Sequence, residues 1–168
     1  PRALSAGPGP WETPLVRGPT VPRWTHVALP CADLDASLAW YARYTPLELL
    51  DRRDDTDGSA AAWIGHPDNA DRPFILVLVH LGGPGHDTPR PTLAPFAHLG
   101  IEMPDRAAVD AVAARAEADG CLHWAPKDCG PPIGYLCAVR DPDGNVVEFS
   151  HDQGVYDKAH QVWGTGPR

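Results

Sequence analysis

Two stretches of this chain repeat each other without a gap. Residues 25–43 (THVALPCADLDASLAWYAR) overlie residues 97–115 (AHLGIEMPDRAAVDAVAAR) at a constant offset of 72 residues. Six of the nineteen positions are identical, among them His26/His98, Asp33/Asp105 and Arg43/Arg115. A duplicated unit of this size must fold the same way twice, and neither copy buries its apolar face alone. That limits the architectures open to the remaining residues.

Each copy opens on a short alternating stretch, which predicts a strand, and continues through turn residues into an amphipathic run. Asp33 or Asp35 is placed to cap the first helix, and Leu34, Leu38 and Tyr41 fall at helical spacing. In the second copy Asp105 is the expected cap. Val109, Val112, Ala113 and Ala116 form the buried face there, and Gly120 sits where a left-handed residue closes a helix. Three strands should follow each helix: LELLDRR, SAAAWIG and FILVLVH in the first copy, with an Asp57-Gly58 turn, and CLHWA, IGYLCAVR and NVVEFSH in the second. The expected fold class is therefore α+β, built of two tandem βαβββ modules. The modules span about 23–82 and 96–152, and the Pro/Gly-rich linker between them reads as an ordered surface loop. Residues 1–22 hold six Pro and three Gly without apolar periodicity, which predicts a flexible arm behind a processed or trimmed start. Residues 153–168 are a C-terminal tail in which Trp163 is expected to pack.

Charge and composition narrow the function. A formal net charge of −8 is the wrong sign for a nucleic-acid surface. No apolar run approaches the roughly 20 residues needed to span a bilayer. Four cysteines without CxxC pairing are expected as reduced thiols, and the expected location is cytoplasmic.

Strand parity picks out a candidate site, because alternate side chains share a face. His26 faces with Trp24 and Ala28, and His98 faces with Gly100 and Glu102. A two-residue hairpin loop at 142–143 would pair Cys137 with Glu148 and Tyr135 with Ser150, setting Tyr135, Cys137 and Glu148 on one face. His26, His98 and Glu148 then form a facial triad for one divalent metal ion: Fe(II), Mn(II), Zn(II) or Ni(II). Tyr135, Glu102 and His80 are candidate catalytic residues, His80 because it shares a face with Leu76. Cys137 is expected as a small buried hydrophobe. His66, His86, His123, His151 and His160 are expected at the surface.

THVALPCADLDASLAWY, AHLGIEM and GYLCAVRDPDGNVVEF resemble the vicinal oxygen chelate superfamily over roughly residues 23–152. That group includes glyoxalase I, extradiol dioxygenases, fosfomycin-resistance thiol transferases, methylmalonyl-CoA epimerases and bleomycin-binding proteins. The resemblance implies that the two modules form a cupped mixed β-sheet with helices on the outside, and that a metal lies in the cup between them with His26, His98 and Glu148 as ligands. It also implies a small-molecule substrate and, as in many relatives, a homodimer with shared active sites. Glyoxalase I and the epimerases carry a further Glu or Gln on the last strand of the first module. The repeat puts Leu76 at that position, or Val77 if the loops differ by one, and neither moves a proton. The expected activity is thus a metal-dependent dioxygenase of extradiol type or a glyoxalase-like lyase. Extradiol chemistry would call on His and Tyr groups, with His123 or Tyr156 beside Tyr135. The alternatives are a thiol transferase, for which basic groups are scarce, and a non-catalytic drug- or metabolite-binding protein.

Overall fold

The computed structural model describes residues 26–67, 74–93, 96–154 and 161–163. The expected arm at 1–22, Trp24, Tyr156 and His160 lie outside them. The first module runs β1 (His26–Pro30), α1 (Leu34–Tyr44), β2 (Glu48–Asp54), β3 (Ala60–Gly65) and β4 (Ile75–His80). The second runs β5 (His98–Glu102), α2 (Arg106–Ala118), β6 (Leu122–Asp128), β7 (Tyr135–Arg140) and β8 (Val146–His151). Each module forms a four-stranded mixed sheet, ordered β1-β4-β3-β2 and β5-β8-β7-β6, in which the first strand lies parallel to the last. Among the described residues no helix is long and apolar enough to cross a membrane.

Local chemistry starts both helices. The Asp33 carboxylate accepts from the Ala36 amide at 2.9 Å, and Asp105 accepts from Ala108 at 2.8 Å, each satisfying an orphan donor of the first turn. Val109, Val112, Ala113 and Ala116 are the buried face of α2, and Gly120 takes the left-handed φ of 73°. The helix-facing sides of both sheets contribute to one core, with Leu29, Leu76 and Leu78 from the first module and Val139, Val147 and Phe149 from the second. Trp163, expected to pack, is 73% exposed.

The β7–β8 turn clasps the two modules together. Asp143 accepts from the Ala32 amide at 2.8 Å and the Ser37 hydroxyl at 3.2 Å, both at the start of α1. The Tyr41 hydroxyl donates to Asp141 at 3.0 Å, and the Asn145 amide does the same. Asn145 in turn accepts from the Thr92 and Leu93 amides, pinning the linker. All three turn residues are buried. Desolvation raises the Asp141 carboxyl above its ordinary range, against the pull of the hydrogen bonds it accepts from Asn145 and Tyr41.

The same turn corrects the expected register. Gly144 donates to the Asp141 carbonyl, as in a type I turn, and then adopts a left-handed φ of 86°. The ladder closes at Asp141–Asn145, so the loop holds three residues rather than two. Glu148 therefore lies opposite Ala138, and Cys137 opposite Phe149. A one-residue slip exchanges the faces of a strand. Tyr135 and Cys137 consequently point toward α2, where the Tyr135 hydroxyl donates to Asp110 and the Cys137 thiol to the Val109 carbonyl.

Candidate metal centre

β5 and β8 run side by side with His98 opposite Val146 and Gly100 opposite Glu148, so His98 and Glu148 share a face on neighbouring strands. His98 Nε2 stands 3.6 Å from Glu148 Oε2. The Phe96 carbonyl lies 2.9 Å from His98 Nδ1. A carbonyl only accepts, so that nitrogen carries a proton, and in the neutral ring Nε2 then presents a lone pair toward Glu148, the tautomer a metal needs. Glu148 is only 6% exposed, and the Gln153 amide donates to its Oε1 at 2.8 Å. Its neighbours across the ladders, Gly100 and Ala138, are small and leave space above it. An imidazole lone pair and a carboxylate oxygen converging on one point form a donor set suited to a divalent cation.

His26 does not join them within one chain. It lies exposed on β1, and among the described residues no three His, Cys, Asp or Glu groups approach closely enough to enclose a metal ion. Pairing in the first module also corrects the counterpart of Glu148. Ala28, two residues after His26, lies opposite Val77, as Gly100 lies opposite Glu148. The equivalent position is thus Val77, not Leu76, and it too is apolar.

Two candidate catalytic residues lie on the helix-facing sides of their sheets. Tyr135 is on the helix side, with the Arg106 guanidinium over its ring at 4.8 Å. His80 shares its face with Leu76 and Leu78, which are core residues on the helix side, and its Nδ1 lies 3.3 Å from the Cys31 carbonyl. Glu102 keeps its expected place, exposed on the His98 face of β5. His151 points away from Glu148, as parity required, and its Nδ1 meets the Met103 carbonyl.

Over the pair opens a cavity of about 830 Å³, walled by Phe96, His123, Trp124, Ile133 and Leu136, with Lys127 at its edge. His98 makes edge-on contacts to Phe96 and Trp124, with ring centres 5.7 and 6.2 Å away. A second cavity, of about 530 Å³, reaches Glu102 and Gly100 from the first-module residues Val27, His66 and Phe74. Strand alternation did not foresee the roles of His66 and His123, which line these cavities. For His123 the reason is visible: β6 shifts register between Leu122 and Trp124, and such irregularities re-aim side chains.

Residues 23–149 match the model of the Glyoxalase/Bleomycin resistance protein/Dioxygenase superfamily. The chain belongs to that superfamily. It is 42% identical over 132 residues to a Pseudomonas aeruginosa relative named "Uncharacterized protein PA2024", covering 79% of this chain and 90% of the relative. It is 28% identical to a lactoylglutathione lyase of Neisseria meningitidis, covering 76% of this chain and 88% of the lyase. A glyoxylase/bleomycin resistance protein/dioxygenase domain from Frankia sp. EAN1pec superposes with a TM-score of 0.60 at 25% identity, over 77% of this chain and 97% of that one. Glyoxalase I of Leishmania major shares the fold, with a TM-score of 0.63 at 20% identity, over 87% of this chain and all of that one. Superfamily folds of this kind accommodate several chemistries, so the reaction has to be argued from the site.

Proposed function

We propose that this protein is a divalent-metal-dependent enzyme that acts on a small organic substrate chelated through oxygen atoms, by extradiol-dioxygenase-like chemistry. The observation that carries the reading is the His98–Glu148 pair, with its lone-pair nitrogen and buried carboxylate oxygen 3.6 Å apart beneath an aromatic-lined cavity. His26 is the third ligand. Because it does not reach the pair within one chain, a second copy supplies it, and each site of the homodimer is shared. The metal, Fe(II), Mn(II), Zn(II) or Ni(II), would supply Lewis acidity to the chelated oxygens and make their protons easier to lose. The protein's own part is orientation. The Phe96 carbonyl fixes the His98 tautomer, Gln153 fixes the Glu148 carboxylate, and Phe96 and Trp124 keep water from the face of a bound ring.

Val77 bears on the choice of reaction. With an alkyl group at the counterpart of Glu148, the first module offers no carboxylate there to shuttle a proton. Glu102 and His66 in one cavity and His123 in the other are titratable groups placed to do so. The lyase reading, favoured by the Neisseria relatives, requires one of them to take that part. Oxygen uptake with a catechol panel, set against lactoylglutathione formation, separates the two.

The reading as a whole is tested by elemental analysis of protein purified without chelator, wild type against His98→Ala. Wild type should carry close to one metal ion per chain, and the variant far less. If neither holds metal, and Fe(II), Mn(II), Ni(II) and Zn(II) all leave the melting temperature unchanged, the enzyme reading is wrong.

A further inference from the structure

Strand β6 departs from regular pairing twice, between Leu122 and Trp124 and again between Trp124 and Lys127. An ordinary strand shows a cavity every second residue. Here four of the five residues from 123 to 127 line the large cavity: His123, Trp124, Ala125 and Lys127. Trp124 lies opposite Ala138, in the cross-strand row of Glu148, and Lys127 lies opposite Leu136, one row further on. With strands about 4.8 Å apart and about 3.4 Å per residue, the Lys127 backbone is roughly 12 Å from that of Glu148.

Lys127 is an unusual group to find there. The chain has 22 acidic residues against 14 Lys and Arg, and only two of its residues are lysines. Lys127 makes no ion pair among the described residues. The carboxylate beside it, Asp128, points to the other face and pairs with Arg106. Around the wall, His123 is stacked on Trp124 at 5.1 Å between ring centres, and the Arg140 guanidinium donates to its Nδ1 at 3.1 Å. A guanidinium only donates, so His123 Nδ1 is the accepting nitrogen and the neutral ring carries its proton on Nε2.

We infer that β6 is a substrate-recognition wall, and that the substrate class is an aromatic acid. Its ring packs against Trp124 and Phe96, and its carboxylate, on a short arm, pairs with Lys127. The ring's chelating oxygens sit at His98 and Glu148. Only that last placement rests on the metal reading; the pairing of the anion with Lys127 does not. A flat ring with a two-carbon arm spans the gap that the lysine side chain leaves open. Aromatic faces supply most of the buried area and the cation supplies selectivity, the usual division in small-molecule sites.

The test compares hydrocaffeate, a catechol whose two-carbon arm ends in a carboxylate, with its methyl ester. Calorimetric titration of the Zn(II)-loaded protein avoids any turnover by oxygen. Wild type should bind the acid about threefold more tightly than the ester, the yield of an ion pair to an exposed lysine. Lys127→Met should bring the ratio to about one, whereas Lys127→Arg should keep it. Trp124→Leu should weaken acid and ester alike. Equal affinities in wild type, or a preference for the acid that survives in Lys127→Met, would overturn the inference. Repeating the titration without metal separates it from the functional reading, since the acid-to-ester ratio reports on Lys127 even in a protein that holds no ion.

Discussion

Replacing Tyr41 with Phe removes one oxygen atom from the clasp between the modules and leaves the packing in place. The Tyr41 ring is 1% exposed, and the hydroxyl's hydrogen bond to Asp141 Oδ2 is 3.0 Å long. Asp141 Oδ1 accepts from the Asp143 and Asn145 amides, so without Tyr41 the Oδ2 atom retains, among the described residues, only Asn145. A buried bond to a charged acceptor contributes about 1.5–3 kcal/mol. For a domain of this size that corresponds to a fall in melting temperature of roughly 4–10 °C. The pH dependence has a definite sign. Burial already raises the folded-state pKa of Asp141, so the ionised carboxylate costs stability as pH rises through that value. Losing a hydrogen bond that stabilises the charge raises it further. The deficit of Tyr41→Phe should therefore be largest where the carboxyl is ionised and shrink as it becomes protonated. Thermal melts of wild type and variant over a pH series descending from neutral into the ordinary carboxylate range measure both quantities. A shift under about 1 °C at neutral pH, or a deficit that grows on acidification, would refute the role given to this bond.

Shared sites make a countable prediction. If His26 of one copy completes the His98–Glu148 pair of another, mixing His26→Ala with His98→Ala restores one site in each mixed dimer. Random exchange should then recover about one quarter of wild-type bound metal, while a site within one chain would recover none. Thiol labelling reports on burial. Desolvation pushes Cys31 up to about 12 and Cys137 up to about 11, whereas Cys129 is exposed. Iodoacetamide at mildly alkaline pH should modify Cys129 first and reach Cys31 and Cys137 only in denaturant. Early loss of either buried thiol, read by mass spectrometry, would contradict the core described above.

The repeat made most of the fold legible. It set the element order, the cap at Asp105 and the buried face of α2, and it narrowed the first cap to Asp33 or Asp35, of which the structure uses Asp33. Those features follow from local chemistry and from periods of 3.6 and 2, which a sequence displays directly. What escaped depends on single-residue irregularities. Asp-Pro-Asp-Gly suits a type I turn whether the loop closes with two residues or three, and the third sent Tyr135 to the helix side. The loops of the two modules differ by one, so the offset that matches His26 to His98 does not carry Glu148 to Leu76. The irregularities of β6 have no turn residue to announce them, so His123, Trp124 and Lys127 emerged as cavity walls only in three dimensions. Nor does internal symmetry say whether equivalent residues meet within a chain or between chains, which is why His26 stood apart.

The three-residue closure at 142–144 has a consequence for how such a protein tolerates change. Surface loops ordinarily absorb insertions and deletions at little cost. Here a deletion of one codon would invert β7, carrying the phenol of Tyr135 and the thiol of Cys137 into the cup and driving the Arg140 guanidinium against the α2 side. It would also withdraw the carboxylates that hold α1. The chemical inventory of the cup is thus written partly in the length of one turn, and a change in that length would exchange half a wall at a stroke where a point mutation alters one side chain.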